Sequence, residues 1–378
     1  MDKSNLLATS AVVTIFISLF LSFFLVTVKT EYKLSNRVFA FFLVLTAIDI
    51  SPNLGHLLEI SLNAKIFISS FFFLQLPTFY LYVLSVCYSD FKLKPKHLVH
   101  GLTFLIANLI LLPRFYTVNE AAKVSFLEKS SSMLEIQLNH IFIHAQMVLY
   151  LIAAFMILRK ARKIYLENYA GASMESLNWL FQFTVALSFF YAIALLKNIF
   201  KFTAYSGISD WLKIGLLLVS TGTIFWYLYK ALNNPTLFRN VDSKLKLVKD
   251  IVYEEKDAED LTVSDEEFDE ELLILREYMM EKKPFLNPSL TIQDISNELE
   301  IPVRDLSILI NHKLEQHFYD FVNTYRIEQA MDMLKDATKS KVTILEILYE
   351  VGFNSKSSFN TAFKKHTGKT PTSYRKDL

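Results

Sequence analysis

A set of polar side chains lies inside long apolar stretches of the first 230 residues, and two of them have metal-binding chemistry. His140 and His144 are four residues apart, so a helix places both imidazoles on one face. A zinc site would need a third ligand from another helix, and we predict no metal site from this pair alone. The whole set is a candidate pocket for a small ligand or ion: Asp49, Asn53, His56, Gln75, His140, His144 and Lys197. The alternative interpretation is that these groups form hydrogen bonds between neighbouring helices.

Other reactive chemistry finds little support in the sequence. Cys87 is the single cysteine, which excludes an intramolecular disulfide and a cysteine-based zinc site. The chain contains no HExxH, no GxSxG and no glycine-rich phosphate loop. We therefore predict that the protein is not an enzyme and uses no cofactor.

The composition indicates that a large part of the surface faces something other than water. Of the 378 residues 52% are hydrophobic, 33 are Phe and only 20% are charged. A helix of about 20 apolar residues crosses the hydrocarbon core of a bilayer. We predict seven such helices, or six if the short fourth one does not cross: 6–28, 38–58, 66–88, 98–113, 138–158, 177–200 and 211–229. Ser51-Pro52-Asn53 is expected to kink the second.

Basic residues are concentrated in alternate loops between these helices. With the N-terminus outside, ten basic residues fall in the loops around 29–37, 92–96 and 159–163, which the positive-inside rule assigns to the cytoplasm. Seven spans also place everything after residue 230 in the cytoplasm. We predict a transmembrane domain at 1–232, followed by an acid-rich cytoplasmic linker at 233–271.

The last hundred residues change to short amphipathic helices that form two similar units. In the first, Thr291 and Asp294 have the spacing of a helix N-cap, and a break at 300–302 precedes a second helix. In the second, Val351-Gly352-Phe353 forms the turn and Ser355 is the N-cap of the following helix. Two short helices joined by a tight turn are the helix-turn-helix plan, and its repetition makes the interpretation strong.

The motifs TYRIEQAMDML (324–334) and VGFNSKSSFNTAFKKHTGKTPTSYR (351–375) resemble the AraC/XylS family of transcription regulators. The resemblance covers residues 272–378 and implies an AraC-type DNA-binding domain over that range. The predicted fold is all-α: a seven-helix transmembrane bundle plus a cytoplasmic domain of two helix-turn-helix units. The sequence departs from the family at Pro302, where a Ser cap is usual, and at Leu348, where a small Ala is usual.

The resemblance also implies roles for individual side chains, since the second helix of each unit enters a major groove in that family. The residues implied to contact bases are Arg304, Ser307, Ile308, Lys356, Ser357, Asn360 and Thr361. Those implied to contact phosphates are Asn311, Lys364, Lys365 and Arg375. Charge is uneven between the units. Residues 291–340 hold five basic and nine acidic residues, and 341–378 hold seven and three.

Together these features predict a membrane-bound, sequence-specific DNA-binding regulator, in which the membrane bundle senses a signal and controls the cytoplasmic domain. The expected partners are double-stranded DNA, the lipid bilayer and a second copy of the chain in a homodimer. An unknown small-molecule or membrane signal is expected, and RNA polymerase is a further candidate partner. The expected location is the bacterial inner (cytoplasmic) membrane. The alternatives are a bundle that only anchors and dimerises, or a transporter or receptor with a regulatory helical tail.

Overall fold

The computed structural model describes residues 3–28, 33–54, 60–170, 175–201, 203, 206–233, 265–336, 338 and 341–378. Over these ranges the chain is helical and contains no β-strand, which confirms the predicted all-α fold. The linker predicted at 233–271 lies outside the described residues from 234 to 264.

The chain divides into two compact units. The first comprises Met1–Leu158 and Asn178–Asn240, and the second comprises Arg159–Leu177 and Val241–Leu378. The sequence-based division differs at residues 159–177, which it assigned to the membrane part.

The first unit is built from long apolar helices. The last residues of one of them, α7, belong to the second unit. The helices are α1 (Lys3–Thr27), α2 (Lys33–Ile50), α3 (Leu62–Ser70), α4 (Phe72–Cys87), α5 (Leu102–Leu111), α6 (Glu120–Glu128), α7 (Leu134–Asn168), α8 (Glu175–Lys201) and α9 (Ser206–Asn233).

Seven helical segments are long and apolar enough to cross a membrane, the number that the sequence predicts. The second ends in a 3-10 turn, Ser51–Leu54, which follows α2 at the predicted site of the kink. The fourth is longer than predicted because turns extend α5 at both ends, to Pro95 and to Tyr116. The segments are Asn5–Thr27, Lys33–Leu54, Leu62–Cys87, Pro95–Tyr116, Leu134–Asn168, Leu177–Lys201 and Gly207–Tyr227.

Aromatic packing holds the centre of the first unit together. Phe39 of α2 stacks on Tyr227 of α9 with ring centroids 4.1 Å apart, and it packs at a tilt against Tyr82 of α4 at 4.7 Å. Phe183 of α8 meets Phe39 edge-on at 5.8 Å. Four helices therefore meet at one ring cluster, in which each aromatic pair contributes about 0.5–1.5 kcal/mol beyond its buried area.

The second unit contains two small helical cores joined by one long helix. Its helices are α10 (Asp265–Lys282), α11 (Ile292–Leu299), α12 (Val303–Ile308, continued by a wide turn at Leu309–Lys313), α13 (Phe318–Lys335), α14 (Ile344–Glu350), α15 (Lys356–Thr367) and α16 (Pro371–Lys376). The predicted N-caps are confirmed: Thr291 and Ser355 accept hydrogen bonds from the backbone NH of Asp294 (3.2 Å) and Ser358 (3.3 Å).

A buried arginine on α13 ties the parts of the second unit together. Arg326 is fully buried and donates to the carbonyl oxygens of Phe285 (2.6 Å), Asn287 (2.8 Å) and Ala170 (2.7 Å). Its guanidinium carbon also lies 5.4 Å from the centre of the Phe353 ring, in the second helix-turn-helix unit. Burial lowers the pKa of Arg326 to about 10, so the group stays charged at neutral pH.

Gly352 is held where no other residue fits. Its φ is +89°, a left-handed conformation that disfavours side chains. A Cβ at this position would lie 2.5 Å from the Phe285 carbonyl oxygen, which is backbone and cannot move aside easily. Gly368 has a similar φ of +75°, but a Cβ there would meet no atom within 4 Å.

We expect Gly352→Ala to destabilise the second unit more than Gly368→Ala. Both substitutions incur the left-handed penalty of about 1–2 kcal/mol, and G352A adds a steric cost of about 1–3 kcal/mol. Urea midpoints for protease protection of the C-terminal unit, in the full-length protein, measure the difference. Equal midpoints for the two variants would contradict the close contact with Phe285.

We expect Arg326→Met to lower the free energy of unfolding of the second unit by about 3 kcal/mol or more. The reason is that three carbonyl oxygens, two of them buried, lose their donor, at about 1–3 kcal/mol for each buried acceptor. The same protease-protection assay applies, with Arg276→Met as the matched control because Arg276 is exposed on α10. An R326M effect no larger than that of R276M would refute the tying role.

Candidate nucleic-acid interface and bundle cavity

The first helix-turn-helix unit consists of α11, a turn and α12. Glu300 ends α11 in the left-handed conformation (φ 57°), and the Ser296 hydroxyl donates to the Ile301 carbonyl at 2.6 Å. Pro302 then occupies the N-cap of α12 without a side-chain cap bond. The departure from the family at this position is therefore accommodated, because the fixed φ of proline suits the start of a helix.

The second helix-turn-helix unit repeats this plan with α14, the turn at 351–355 and α15. The predicted glycine turn is confirmed, and Phe353 packs edge-on against Phe359 at 5.2 Å. Phe359 and Phe363 are fully buried and fix which face of α15 turns inward. Leu348 is 1% exposed in the same core, so the larger residue at this family position is absorbed by packing.

The predicted base-contact residues of the second helix-turn-helix unit lie on the solvent-exposed surface of α15. Lys356, Ser357 and Thr361 are exposed, and Asn360 is half-buried. Ser357 and Thr361 occupy the side of α15 opposite Phe359 and Phe363, Asn360 lies at the edge of that side, and Lys356 is exposed in the first turn of the helix, since the helix turns 100° per residue. This face is therefore available to a ligand in the structure.

The predicted phosphate-contact residues of the second unit are also at the surface. Lys364 and Lys365 are exposed, and Arg375 is half-buried. Lys365 forms an ion pair with Asp320 of α13, with its Nζ 2.7 Å from the carboxylate. Both residues line a groove of about 720 Å³ between the two helix-turn-helix units, together with Asn311.

The predicted DNA-contact residues of the first helix-turn-helix unit are less exposed than those of the second. Ser307 and Ile308 are only 4% and 8% exposed, and Arg304 is half-buried. Asn311 donates to the Glu167 carbonyl (3.3 Å) and to the Ser307 hydroxyl (3.2 Å), and it accepts from the backbone NH of Phe318 (3.0 Å). The structure thus brings these four residues onto one face of α12 but does not leave that face open.

Sequence reasoning missed the role of Arg326. It stands in the TYRIEQAMDML motif, but its participation in the core was not predicted. The available signal was its position on the apolar side of α13, one residue before the buried Ile327 and four before the buried Ala330. An arginine in that stripe needs several acceptors, since a buried charge is costly without them.

The candidate pocket residues of the apolar helical bundle, the first compact unit of the chain, fall into two places. Asp49, Asn53, Gln75 and Lys197 line one cavity of about 280 Å³, whose remaining wall is mainly apolar and aromatic. Gln75 is buried and accepts a hydrogen bond from the Tyr191 hydroxyl at 3.1 Å. One end of this cavity is polar, so it suits a small molecule with both charged and apolar parts.

The histidine pair lies in another place. His140 and His144 line a separate groove on α7 and α8, where His144 is 3.3 Å from the Asn198 amide. His56 lies outside the described residues. Among the described residues no three His, Cys, Asp or Glu side chains form a cluster that could hold a metal ion.

Comparison with known proteins bears on the C-terminal end. Residues 295–377 match the family model of a helix-turn-helix domain. An uncharacterized HTH-type transcriptional regulator of Staphylococcus aureus (strain COL) is 35% identical over 88 residues. The alignment covers 23% of this chain and 11% of that regulator, so the chain spans about a tenth of its relative's length. No solved structure matches the chain. The C-terminal residues are therefore a helix-turn-helix domain, and DNA is the partner that this domain supports.

Proposed function

We propose that the protein is a membrane-bound, sequence-specific DNA-binding transcription regulator whose apolar bundle senses a signal. The observation that carries the proposal is the open surface of α15, where Ser357 and Thr361 lie opposite the packed core, Asn360 lies at the edge and Lys356 is exposed in the first turn. It belongs to a domain that matches a helix-turn-helix family model, in a chain with seven helical segments apolar enough to span a bilayer.

The chemistry of the two recognition helices suits base reading in the major groove. Asn360 would pair with adenine through its amide, and Arg304 would bind guanine through O6 and N7. Ile308 would contact only a thymine methyl group. Ser307, Lys356, Ser357 and Thr361 would complete the two readers.

Lysines and one arginine would supply the phosphate contacts. Lys364, Lys365 and Arg375 lie in the half of the domain with seven basic and three acidic residues, so electrostatic attraction to DNA concentrates there. Asn311 would contribute a neutral hydrogen bond from the first unit. These contacts position the protein on the duplex without reading its sequence.

Three observations support a membrane location with the DNA-binding end in the cytoplasm. The first is the set of seven apolar helical segments. The second is the group of ten basic residues around 29–37, 92–96 and 159–163, which lie at the same ends of alternate apolar segments by the sequence-based topology. The third is the outer surface of α1, where Phe16 and Phe23 are each 68% exposed, as expected for side chains that face lipid. The bacterial inner membrane, a homodimer and contact with RNA polymerase complete the proposal.

The cavity favours a sensing bundle over one that only anchors and dimerises. An anchor needs no internal space, whereas the first unit has a cavity of about 280 Å³ with Asp49 and Lys197 in its wall. We propose that this cavity receives the signal. The polar end would bind a charged group, and the aromatic wall would bind an apolar body.

DNA selection tests the proposed function. Fragment 242–378, fused to a dimerising zipper and confirmed as folded, is expected to enrich two sub-sites about 10 base pairs apart from random DNA. Asn360→Ala should relax one base position at about 1–3 kcal/mol. Lys364→Ala should instead weaken binding to all sequences and lower the salt slope by about one. A folded fragment that enriches no motif at low salt would overturn the proposal.

Transcription from the selected site tests the sensing role. We expect Asp49→Asn and Lys197→Gln to change the output of full-length protein in cells by about fivefold or more, the lower range of allosteric coupling. His140→Ala is the control because His140 lines a different groove. If membrane-inserted D49N and K197Q variants behave as the unmodified chain does, the bundle is an anchor and the cavity has no sensing role.

A further inference from the structure

The second helices of the two helix-turn-helix units, α12 and α15, are the recognition helices of the proposed function. They differ in exposure at each of the four matched positions compared below. Aligning the buried Leu306 with the buried Phe359 pairs four residues of α12 with four of α15. The α15 residues are exposed in three of the four pairs and half-buried in the fourth, whereas those of α12 are buried or half-buried throughout. The pairs are Arg304 with Ser357, Ser307 with Asn360, Ile308 with Thr361, and Asn311 with Lys364.

The core of the first helix-turn-helix unit does not account for this burial. Leu306, Leu309 and Ile310 point into that core and are at most 1% exposed. At 100° per residue, Ser307 and Ile308 point away from the centre of that inward face by more than a right angle. Another part of the chain must therefore cover them.

The hydrogen bond that reaches this face from elsewhere in the unit comes from residues 159–170, which we call the docking segment and take as the covering element. It comprises the last turns of α7 and the two residues that follow, and it belongs to the second unit. The Glu167 carbonyl accepts the hydrogen bond from Asn311, on the covered face of α12. Beyond α7, the backbone NH of Ala170 donates to the Leu290 carbonyl at 3.1 Å, next to an antiparallel bridge between Tyr169 and Thr291.

Several residues of the docking segment are buried in the C-terminal unit. Ala170 is 1% exposed and belongs to the core cluster of the first helix-turn-helix unit, and its carbonyl accepts from Arg326. Tyr165 is 3% exposed and stacks on Tyr169 at 5.3 Å. Glu167 is 2% exposed, with its carboxylate 3.6 Å from Lys163 one turn earlier.

We propose that the docking segment masks the first recognition helix and competes with DNA for it. This inference rests on the proposed function, because it takes the face of Arg304, Ser307, Ile308 and Asn311 as the one that enters the groove. An α-helix reads bases only when its outer face reaches the groove floor. The docked state therefore leaves α15 free to bind and withholds α12, and one recognition helix alone gives weaker and less specific binding.

The mask is continuous with an apolar helix of the bundle. α7 runs unbroken from Leu134 to Asn168 and contains one of the seven candidate spans. Movement of α7 would therefore pull on the docking segment directly. The segment is held by its hydrogen bonds and by the burial of Tyr165, Glu167 and Ala170, and a ligand that binds the undocked state more tightly would shift the balance away from docking.

A reversible disulfide across the docked contact tests the proposal. Tyr169→Cys and Thr291→Cys replace the two bridged residues, since facing residues of an antiparallel pair have Cα atoms about 4.5–5.5 Å apart and this suits a disulfide. Cys87→Ala in the same chain removes the buried native thiol. Full-length protein in detergent is assayed on the DNA motif that the zipper-fused fragment selects, before and after reduction. The two single-cysteine variants are the controls.

We expect the oxidised double variant to lose about tenfold or more in affinity for DNA and to recover it on reduction, because affinity falls with the fraction of competent molecules. Equal binding by oxidised and reduced forms would overturn the masking role while leaving the DNA-binding function intact. Failure of the disulfide to form would also overturn it, because the pair would not be in contact. If the fragment itself selects no motif, the proposed function fails first.

Release of the segment provides the opposite test. Ala170→Gln places a long side chain in a fully packed position and should raise the DNA affinity of the full-length chain by about tenfold. Arg162→Gln is the matched control, since Arg162 is exposed on the same segment and should leave affinity nearly unchanged. An A170Q variant that remains folded by protease protection and binds DNA no more tightly than R162Q would refute masking.

Discussion

The organisation of the C-terminal unit depends on the need to satisfy one buried guanidinium. Arg326 cannot be left in a low-dielectric core without acceptors, and its planar fork of donors reaches three backbone carbonyls from two separate stretches of chain. One stretch precedes the first helix-turn-helix unit and the other follows α7. The aromatic ring of Phe353 covers the same group from the second unit. A single charge thus fixes the relation of four chain segments, and one of them is the segment that covers α12.

Because the helix-turn-helix unit is repeated, the exposure of residues in α12 can be compared with that of matched residues in α15. The two units share a left-handed residue in the turn, a capped first helix and matched buried positions such as Leu306 and Phe359, so the difference in exposure between α12 and α15 points to an element outside the repeat. The docking segment contacts the outer face of α12 from outside the repeat, through the hydrogen bond from Asn311 to the Glu167 carbonyl. A difference in exposure between two similar units is therefore more informative than the burial of any single residue.

Much of this arrangement could be predicted from the sequence, for identifiable physical reasons. Apolar length predicts membrane-spanning helices, and the local chemistry of Thr291, Ser355 and Gly352 predicts caps and a turn, because these features depend only on neighbouring residues. The docking of Ala170 could not be predicted, since its contacts are made by backbone atoms and leave no side-chain pattern. The basic residues at 159–163 predict a loop, whereas α7 continues through them to Asn168, because Lys and Arg are good helix formers. Periodicity placed His140 and His144 on one face but could not say that Asp49 lies in another cavity, because helix neighbours are set by tertiary packing.

The ion pair between Lys365 and Asp320 has a consequence for how the domain would search a genome. A lysine already paired with a carboxylate gains less from a passing phosphate, and the nearby negative charge opposes any duplex that offers nothing else. Under the proposed function, random sequences would therefore be held weakly, while a correct site would recover the difference through its bases. Since a genome offers about 10⁶ or more competing sites, a small reduction in adhesion to each of them increases the share of time spent at the right one.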